Sequence, residues 1–184
     1  ACVTRGARVL EIGCGGGGLL RLLRERGARA VGVDTLDTAL RLSPRSSALV
    51  RVPTHSALPF RDAAFDAVVG QHVVEHLPNV DAALREWWRV LKPGGRIALA
   101  TPNAHYPDPA HFADADHAHV FTPRELCGLI TRAGFTVETC RTIFPFLSSV
   151  RALRAIGVIG HRVFQHAPYF ASRGRTIMLG ARKR

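Results

Sequence analysis

A chain of 184 residues, 47% of them hydrophobic, is the size of one globular domain. It holds no apolar run near the ~20 residues of a membrane span, no signal-peptide pattern at Ala1-Cys2-Val3-Thr4-Arg5, and no CxxC pair among Cys2, Cys14, Cys127 and Cys140, so a reducing cytoplasm is the expected compartment. The formal charge of +11 rests almost wholly on arginine, and nine of the cations follow Glu138, where no Asp or Glu occurs; such a composition alone does not imply a nucleic-acid partner.

From the amino end, Arg8-Val9-Leu10-Glu11-Ile12 is a short apolar run that predicts a strand over 8–12. Gly13-Cys14-Gly15-Gly16-Gly17-Gly18 is a turn of glycine and one small thiol, and an apolar helix flanked by arginines is expected over 17–26. Cys14 reads as a small filler of that turn rather than a nucleophile. Further strands are expected at 30–34, 48–52, 66–70, 95–101, 135–142 and 175–182, and further helices at 36–42, 79–91, 122–133 and 147–165. Trp87 and Trp88 share a helical period with Leu84, Val90 and Leu91, which sends one tryptophan to the core and leaves the other partly exposed. Lys92-Pro93-Gly94-Gly95 ends that helix and turns into the next strand. Thr122-Pro123-Arg124-Glu125 reads as an N-cap, a proline at the first helical position and an acid at the third. The long irregular stretch is 102–121, and loops of that length are often functional. Strands alternating with helices give an α/β class with a mostly parallel sheet covered on both faces.

Gly13, Gly15 and Gly18 satisfy GxGxxG, a turn that brings bare backbone to a nucleotide-like cofactor. Asp34 ends the second strand about 20 residues on, where a carboxylate accepts from ribose hydroxyls. NAD, FAD and S-adenosylmethionine all fit, because each presents an adenosine ribose. Three further features narrow the choice. Glu11 stands two residues before Gly13, where it can face a cationic amino group. Leu58-Pro59-Phe60 precedes Phe65-Asp66 and Glu75-His76-Leu77, and Leu91-Lys92-Pro93-Gly94-Gly95 follows. With these segments the chain resembles the class I S-adenosylmethionine-dependent methyltransferases. It is most similar to the small-molecule branch that includes the ubiquinone-pathway methyltransferases, and the likeness runs from Arg8 to about Lys183.

The resemblance implies a Rossmann-like, doubly wound sheet of seven strands, the last antiparallel, with helices on both faces, in a single methyltransferase domain over 1–184. It implies S-adenosyl-L-methionine as cofactor, leaving as S-adenosyl-L-homocysteine. Glu11 and the backbone of Gly13, Cys14 and Gly15 would cradle the methionine end. Asp34 would take the ribose hydroxyls, with Thr35 and Leu36 beside the adenine. Ser56 and Ala57 would lie at the adenine edge, and Gln71 would reach the methionine amino group. The chain departs from the family's pattern at Thr54, where Asp is frequent; the Thr hydroxyl or His55 would stand in. Only seven residues precede Arg8, where the family usually carries helices that roof the site, so a more open pocket or a truncated chain is expected.

Methyl transfer is an in-line displacement, and positioning and exclusion of water supply much of its acceleration. A base is needed only where the acceptor must lose a proton, as a phenol or alcohol does. O-methylation of a small molecule is the favoured reaction. His72-Val73-Val74-Glu75-His76 matches HxxEH literally, but that zinc pattern needs both histidines on one long helix, and Pro78 follows too soon. The resemblance also implies a second alternative here, since some quinone O-methyltransferases carry acid and His residues at this place that bind a divalent cation; His72 departs from the acid seen there, and no metal ligand is assigned. His76 is expected as a base or substrate contact, against a role for Glu75 and His76 in capping and orienting their loop. The long loop gathers Asn103, His105, His111, Asp114, Asp116, His117 and His119. Its Asp-Ala-Asp-His-Ala-His-Val-Phe-Thr-Pro run resembles a recurring family segment, which makes His117 the second catalytic or substrate-facing candidate.

From Phe144 an insertion over 144–166 carries Leu147, Val150, Leu153 and Ile156 at helical spacing, with Arg151, Arg154 and Arg162 largely off that stripe. A core-packing helix with a solvated arginine face is expected ahead of one that lies on an anionic membrane or holds an anionic or lipid-linked acceptor. The expected partner is a small-molecule acceptor, with peripheral contact at the inner membrane face as the wider reading. No Asp/Asn-Pro-Pro-aromatic signature follows the fourth strand, which lowers a nucleic-acid substrate. Two alternatives stay open: a non-catalytic or partner-dependent cofactor-binding domain, and a nucleic-acid methyltransferase suggested by the charge.

Overall fold

The apolar runs line up as one sheet. Its strands are β1 (Arg8–Ile12), β2 (Arg29–Asp34), β3 (Leu49–Arg51), β4 (Phe65–Gln71), β5 (Leu91–Pro102), β6 (Phe135–Ile143) and β7 (Thr176–Lys183), joined in the order β3-β2-β1-β4-β5-β7-β6. Neighbours pair in parallel except around β7, which runs antiparallel to both β5 and β6. The computed structural model describes residues 3–35, 49–52, 57–106, 116–143 and 173–184. The helices expected at 36–42 and 147–165, the 144–166 insertion, and Leu36, Thr54, His55, Ser56, His111 and Asp114 lie outside the described residues. Within them the helices are α1 (Gly18–Glu25), α2 (Val80–Val90) and α3 (Pro123–Arg132).

Side chains alternate across the sheet and so build two apolar layers. Val9, Ala30, Ala67 and Val69 meet Leu20 and Leu23 of α1 on one face. Leu10, Val33 and Val68 share the other cluster with Leu84 and Trp87 of α2 and with Leu126 and Ile130 of α3. Burying each such leucine contributes roughly 1.5–3 kcal/mol. Trp87 is the buried tryptophan. Trp88 is half-buried, edge-on to Phe135 at 4.9 Å, and Lys183 Nζ donates to its carbonyl at 2.7 Å. The expected cap of α3 forms in full: Thr122 Oγ1 accepts from the Glu125 amide, and the Glu125 carboxylate accepts from the Thr122 amide at 2.8 Å.

β5 begins at Leu91, ahead of the expected 95. Leu91 pairs with Phe65, and regular register resumes only at Ala67 opposite Arg96, so Lys92–Gly95 bulges out of the strand instead of preceding it. Gly94 turns that bulge with φ +73°, and Lys92 pairs with Asp66 on β4. The strand order reverses at β1 and β4, where the chain leaves β1 towards β2 but reaches β5 on the other side. The carboxyl ends of these strands flank that switch point, the place where an open α/β sheet holds a ligand.

Candidate active site

The glycine turn is fixed by β2. Gly13 and Cys14 both donate their amides to the Val33 carbonyl, at 2.9 and 3.1 Å, and the Gly15 amide donates to Asp34 Oδ2 at 2.8 Å. Gly13 has φ +66°, and a Cβ there would overlap Val73. A turn that holds pyrophosphate keeps its amides for the ligand. Here those three amides are spent inside the protein and the Cys14 carbonyl accepts from the Gly17 amide at 2.8 Å, so the carbonyls of Gly13 and Gly15 are the groups of these three residues left to offer, which suits a cation.

Glu11 lies under this turn, 4% exposed, with no hydrogen-bond partner for Oε2 among the described residues. Burial pushes its carboxyl up to about 7, a backbone bond from Leu20 pulls it down, and repulsion from Asp34 adds to the rise. Burial and the same two acids push the Cys14 thiol up to about 11, so it is a packed, protonated filler. Thr35 follows Asp34 on the surface. Ala57 is exposed just before the buried Leu58. That loop is clamped from α2: Glu86 accepts from the Leu58 amide at 2.9 Å, and Arg89 donates to the carbonyls of Leu58 and Phe60 and to Asp62. Gln71 is exposed at the end of β4, opposite Ala100.

Beyond β4 the chain makes a sharp exit. His72 has φ +54°, a left-handed conformation that costs a non-glycine residue roughly 1–3 kcal/mol and is held by its surroundings. Its amide donates to the Ala100 carbonyl at 2.9 Å, and its Nδ1 lies 3.0 Å from Glu75 Oε1. Glu75 is fully buried; Thr101 Oγ1 donates to its Oε2 at 2.9 Å, and the His119 amide donates to its carbonyl at 3.0 Å. Burial drives the Glu75 carboxyl up, but the bonds from His72, from its own amide and from Thr101 outweigh this and hold it below its usual range. His76 Nδ1 lies 3.0 Å from the Asp116 carbonyl, and its ring is 4.8 Å from that of His117.

The two catalytic candidates, 41 positions apart, are thus brought together. Glu75 ties their loop through its bonds with His72, Thr101 and the His119 amide. Val74–His76 is a single 3₁₀ turn, so His72 and His76 do not share a helical face and the zinc-protease geometry is absent there. Glu75, His76 and His117 hold donor atoms within 4.8 Å of one another. Both Glu75 oxygens are already engaged, and that spread exceeds the about 3.3 Å between ligands that bonds of about 2.0 Å impose in a tetrahedral site. Asn103 is buried and structural, donating to the Gly174 carbonyl at 2.6 Å and accepting from the His105 amide. The grouping of His72, Glu75 and Thr101 escaped the sequence reading; its one signal was the three-residue spacing of His72 and Glu75, while Thr101 stands 26 residues away on another strand.

A methyltransferase-domain family model matches residues 4–139, most of the chain. The chain belongs to the S-adenosylmethionine-dependent methyltransferase family. It is 33% identical over 105 residues to a ubiquinone biosynthesis O-methyltransferase of Idiomarina loihiensis, covering 53% of this chain and 43% of that one. It is 32% identical over 166 residues to a malonyl-[acyl-carrier protein] O-methyltransferase of Enterobacter lignolyticus, covering 83% and 65%. The chain therefore spans less than two thirds of either curated relative. An S-adenosylmethionine-dependent methyltransferase of Mesorhizobium loti shares the fold with a TM-score of 0.72 at 19% identity, over 98% of this chain and 92% of that one. These matches agree with the fold expected of the methyltransferase: seven strands with β7 antiparallel, and helices beside the sheet.

Proposed function

We propose that this methyltransferase domain moves a methyl group from S-adenosyl-L-methionine to an oxygen of a small-molecule acceptor. When bound, that cofactor supplies an electrophilic methyl on a sulfonium, already a good leaving group. Glu11 carries the reading. A buried carboxylate oxygen without a partner, beside a turn whose amides are spent, is a receptor for the cationic methionine end, so the residues present fit this cofactor. Gly13 and Gly15 would contribute carbonyl oxygens there, with Cys14 holding the turn between them, and Gln71 would approach the same amino group from β4. Asp34, fixed by the Gly15 amide, would accept from the ribose hydroxyls. Thr35, Leu36, Ser56 and Ala57 would border the adenine.

His76 and His117 would meet the acceptor on the far side of the turn. The names of both curated relatives support transfer to oxygen. A small acceptor, anionic or lipid-linked, suits the arginine-rich carboxyl-terminal third. No helix among the described residues is long and apolar enough to cross a membrane; contact with a lipid-linked acceptor is proposed as peripheral.

Calorimetry with S-adenosylhomocysteine tests the reading. Wild type should bind, and Asp34→Ala should lose about 1.5–3 kcal/mol, the worth of hydrogen bonds to a charged group, or roughly 10- to 160-fold in affinity. Absence of binding, with Asp34→Ala indistinguishable from wild type, would sink it.

A further inference from the structure

β4 ends against the cofactor turn. Gly70 pairs with Ile12, the residue before Gly13, and Val73 packs on Gly13 itself. His72 stands between those two contacts, with 45% of its side chain exposed. Behind it, Glu75 is buried and takes hydrogen bonds on both carboxylate oxygens, from Thr101 and from His72. An ionised carboxylate can only accept, so the proton of the neutral ring sits on Nδ1, and Nε2 keeps its lone pair.

We infer that His72 is the general base for methyl transfer to a hydroxyl acceptor, with Glu75 and Thr101 as its positioning residues. The inference rests on the O-methylation proposed above and narrows its substrate class. As the acceptor oxygen forms the new C–O bond, the C–S bond breaks and its electron pair stays on sulfur. The hydroxyl proton passes to His72 Nε2, and the resulting imidazolium is stabilised by the Glu75 carboxylate. Two groups set that imidazolium's energy: Glu75 from the 3₁₀ turn, whose bond raises the His72 pKa, and Arg175 from the segment entering β7, whose charge opposes it. His76 rests its Nδ1 on a neutral carbonyl instead, a weaker support for a developing positive charge. A malonyl-type acceptor presents an oxygen that is already ionised and has no proton for such a base to take; a phenol or alcohol does.

The test uses the whole chain with two probes, catechol and a malonyl thioester, alongside ¹⁵N NMR of the histidine rings. His72→Asn is the working variant, because asparagine tolerates the left-handed backbone at this position. In wild type, His72 should show the Nδ1–H tautomer and titrate above 6.5, and Glu75→Gln should bring it back down. With catechol, His72→Asn should lower kcat by about 10²-fold or more with KM little changed. Its rate should recover with rising pH as the phenol itself ionises near ~10, a rescue that a purely structural histidine would not give. A proton on Nε2, catechol transfer by His72→Asn at the wild-type rate, or transfer to the malonyl thioester alone overturns the inference while leaving O-methylation standing. No transfer to either probe, with S-adenosylhomocysteine bound and the tautomer as expected, overturns the O-methylation reading instead. The wild-type spectrum and His72→Asn decide the matter even where Glu75→Gln fails to fold.

Discussion

Glu11 is a carboxyl raised from 4.5 to about 7 by its own burial, and in its proposed role that rise would make cofactor binding depend on pH. A cationic ammonium placed at its unpartnered oxygen favours the ionised form and lowers the pKa again. Binding then releases a proton where the free protein is still protonated, below about pH 7. Affinity for S-adenosylhomocysteine should therefore rise with pH, by up to about tenfold per unit below 7, and level off above. Titrations in buffers of different ionisation enthalpy should show the proton leaving, and Glu11→Gln should flatten the profile; a flat wild-type profile would mean that Glu11 does not face the ligand. That Glu11, the glycine turn and Asp34 meet at the ends of β1 and β2 was legible in sequence, because they lie at the spacing of a strand–turn–helix–strand unit. The rest of the candidate site was not. His72, Glu75 and Thr101 come together only after β4 and β5 pair, and a fully buried glutamate looks in sequence like any loop acid.

At the scale of elements, α1 sits close to the sheet because β2 carries glycine at position 32. A Cβ there would come within 2.6 Å of Leu20 Cδ1 and 2.7 Å of Cys14 Cβ, both buried. Gly32→Ala should cost about 1–3 kcal/mol by overpacking and displace the glycine turn through Cys14. Gly18 offers the contrast: it opens α1, its φ is ordinary, and nothing lies within 4 Å of an added Cβ. Gly18→Ala should be neutral or stabilise by about 0.4–1 kcal/mol through the unfolded chain. Urea midpoints of the two variants check the pair, and equal losses would contradict it. The strands themselves were legible because buried parallel strands are continuous apolar runs, such as Phe65–Gln71, punctuated by glycine and proline. Two details were not. The bulge at Lys92–Gly95 depends on the partner strand, and the insertion of β7 between β5 and β6 is a long-range pairing, of which the family likeness implied only that the last strand is antiparallel.

For the molecule as a whole, the titrating groups pull stability in opposite directions with pH. Asp66, Glu75, Glu86, Glu125 and Glu138 are held below their ordinary values of 3.8 and 4.5, each by bonds that outweigh burial. Their contribution is complete above those values and is lost as pH falls through the lowered ones. His72, raised by Glu75, contributes below 6.5 and loses its contribution as pH climbs through its folded value. Glu11 acts in the same sense as His72: its carboxylate is cheaper to ionise in the unfolded chain, so folding weakens from pH 4.5 to about 7. The cofactor-free protein should then be most stable in mild acid, between about 4.5 and 6.5, and less stable at neutral pH. Self-repulsion works against this, since nine histidines add to the formal +11 on acidification. Unfolding in about 0.15 M salt, where the Debye length is about 8 Å, keeps that repulsion small. S-adenosylhomocysteine should move the maximum towards neutral pH, because the bound cation relieves Glu11, and Glu11→Gln should remove most of the neutral-side decline without ligand. A urea midpoint that falls steadily from neutral to acid in the free protein, unchanged in shape by the ligand, would show that the buried carboxylate is not what links this fold to its cofactor.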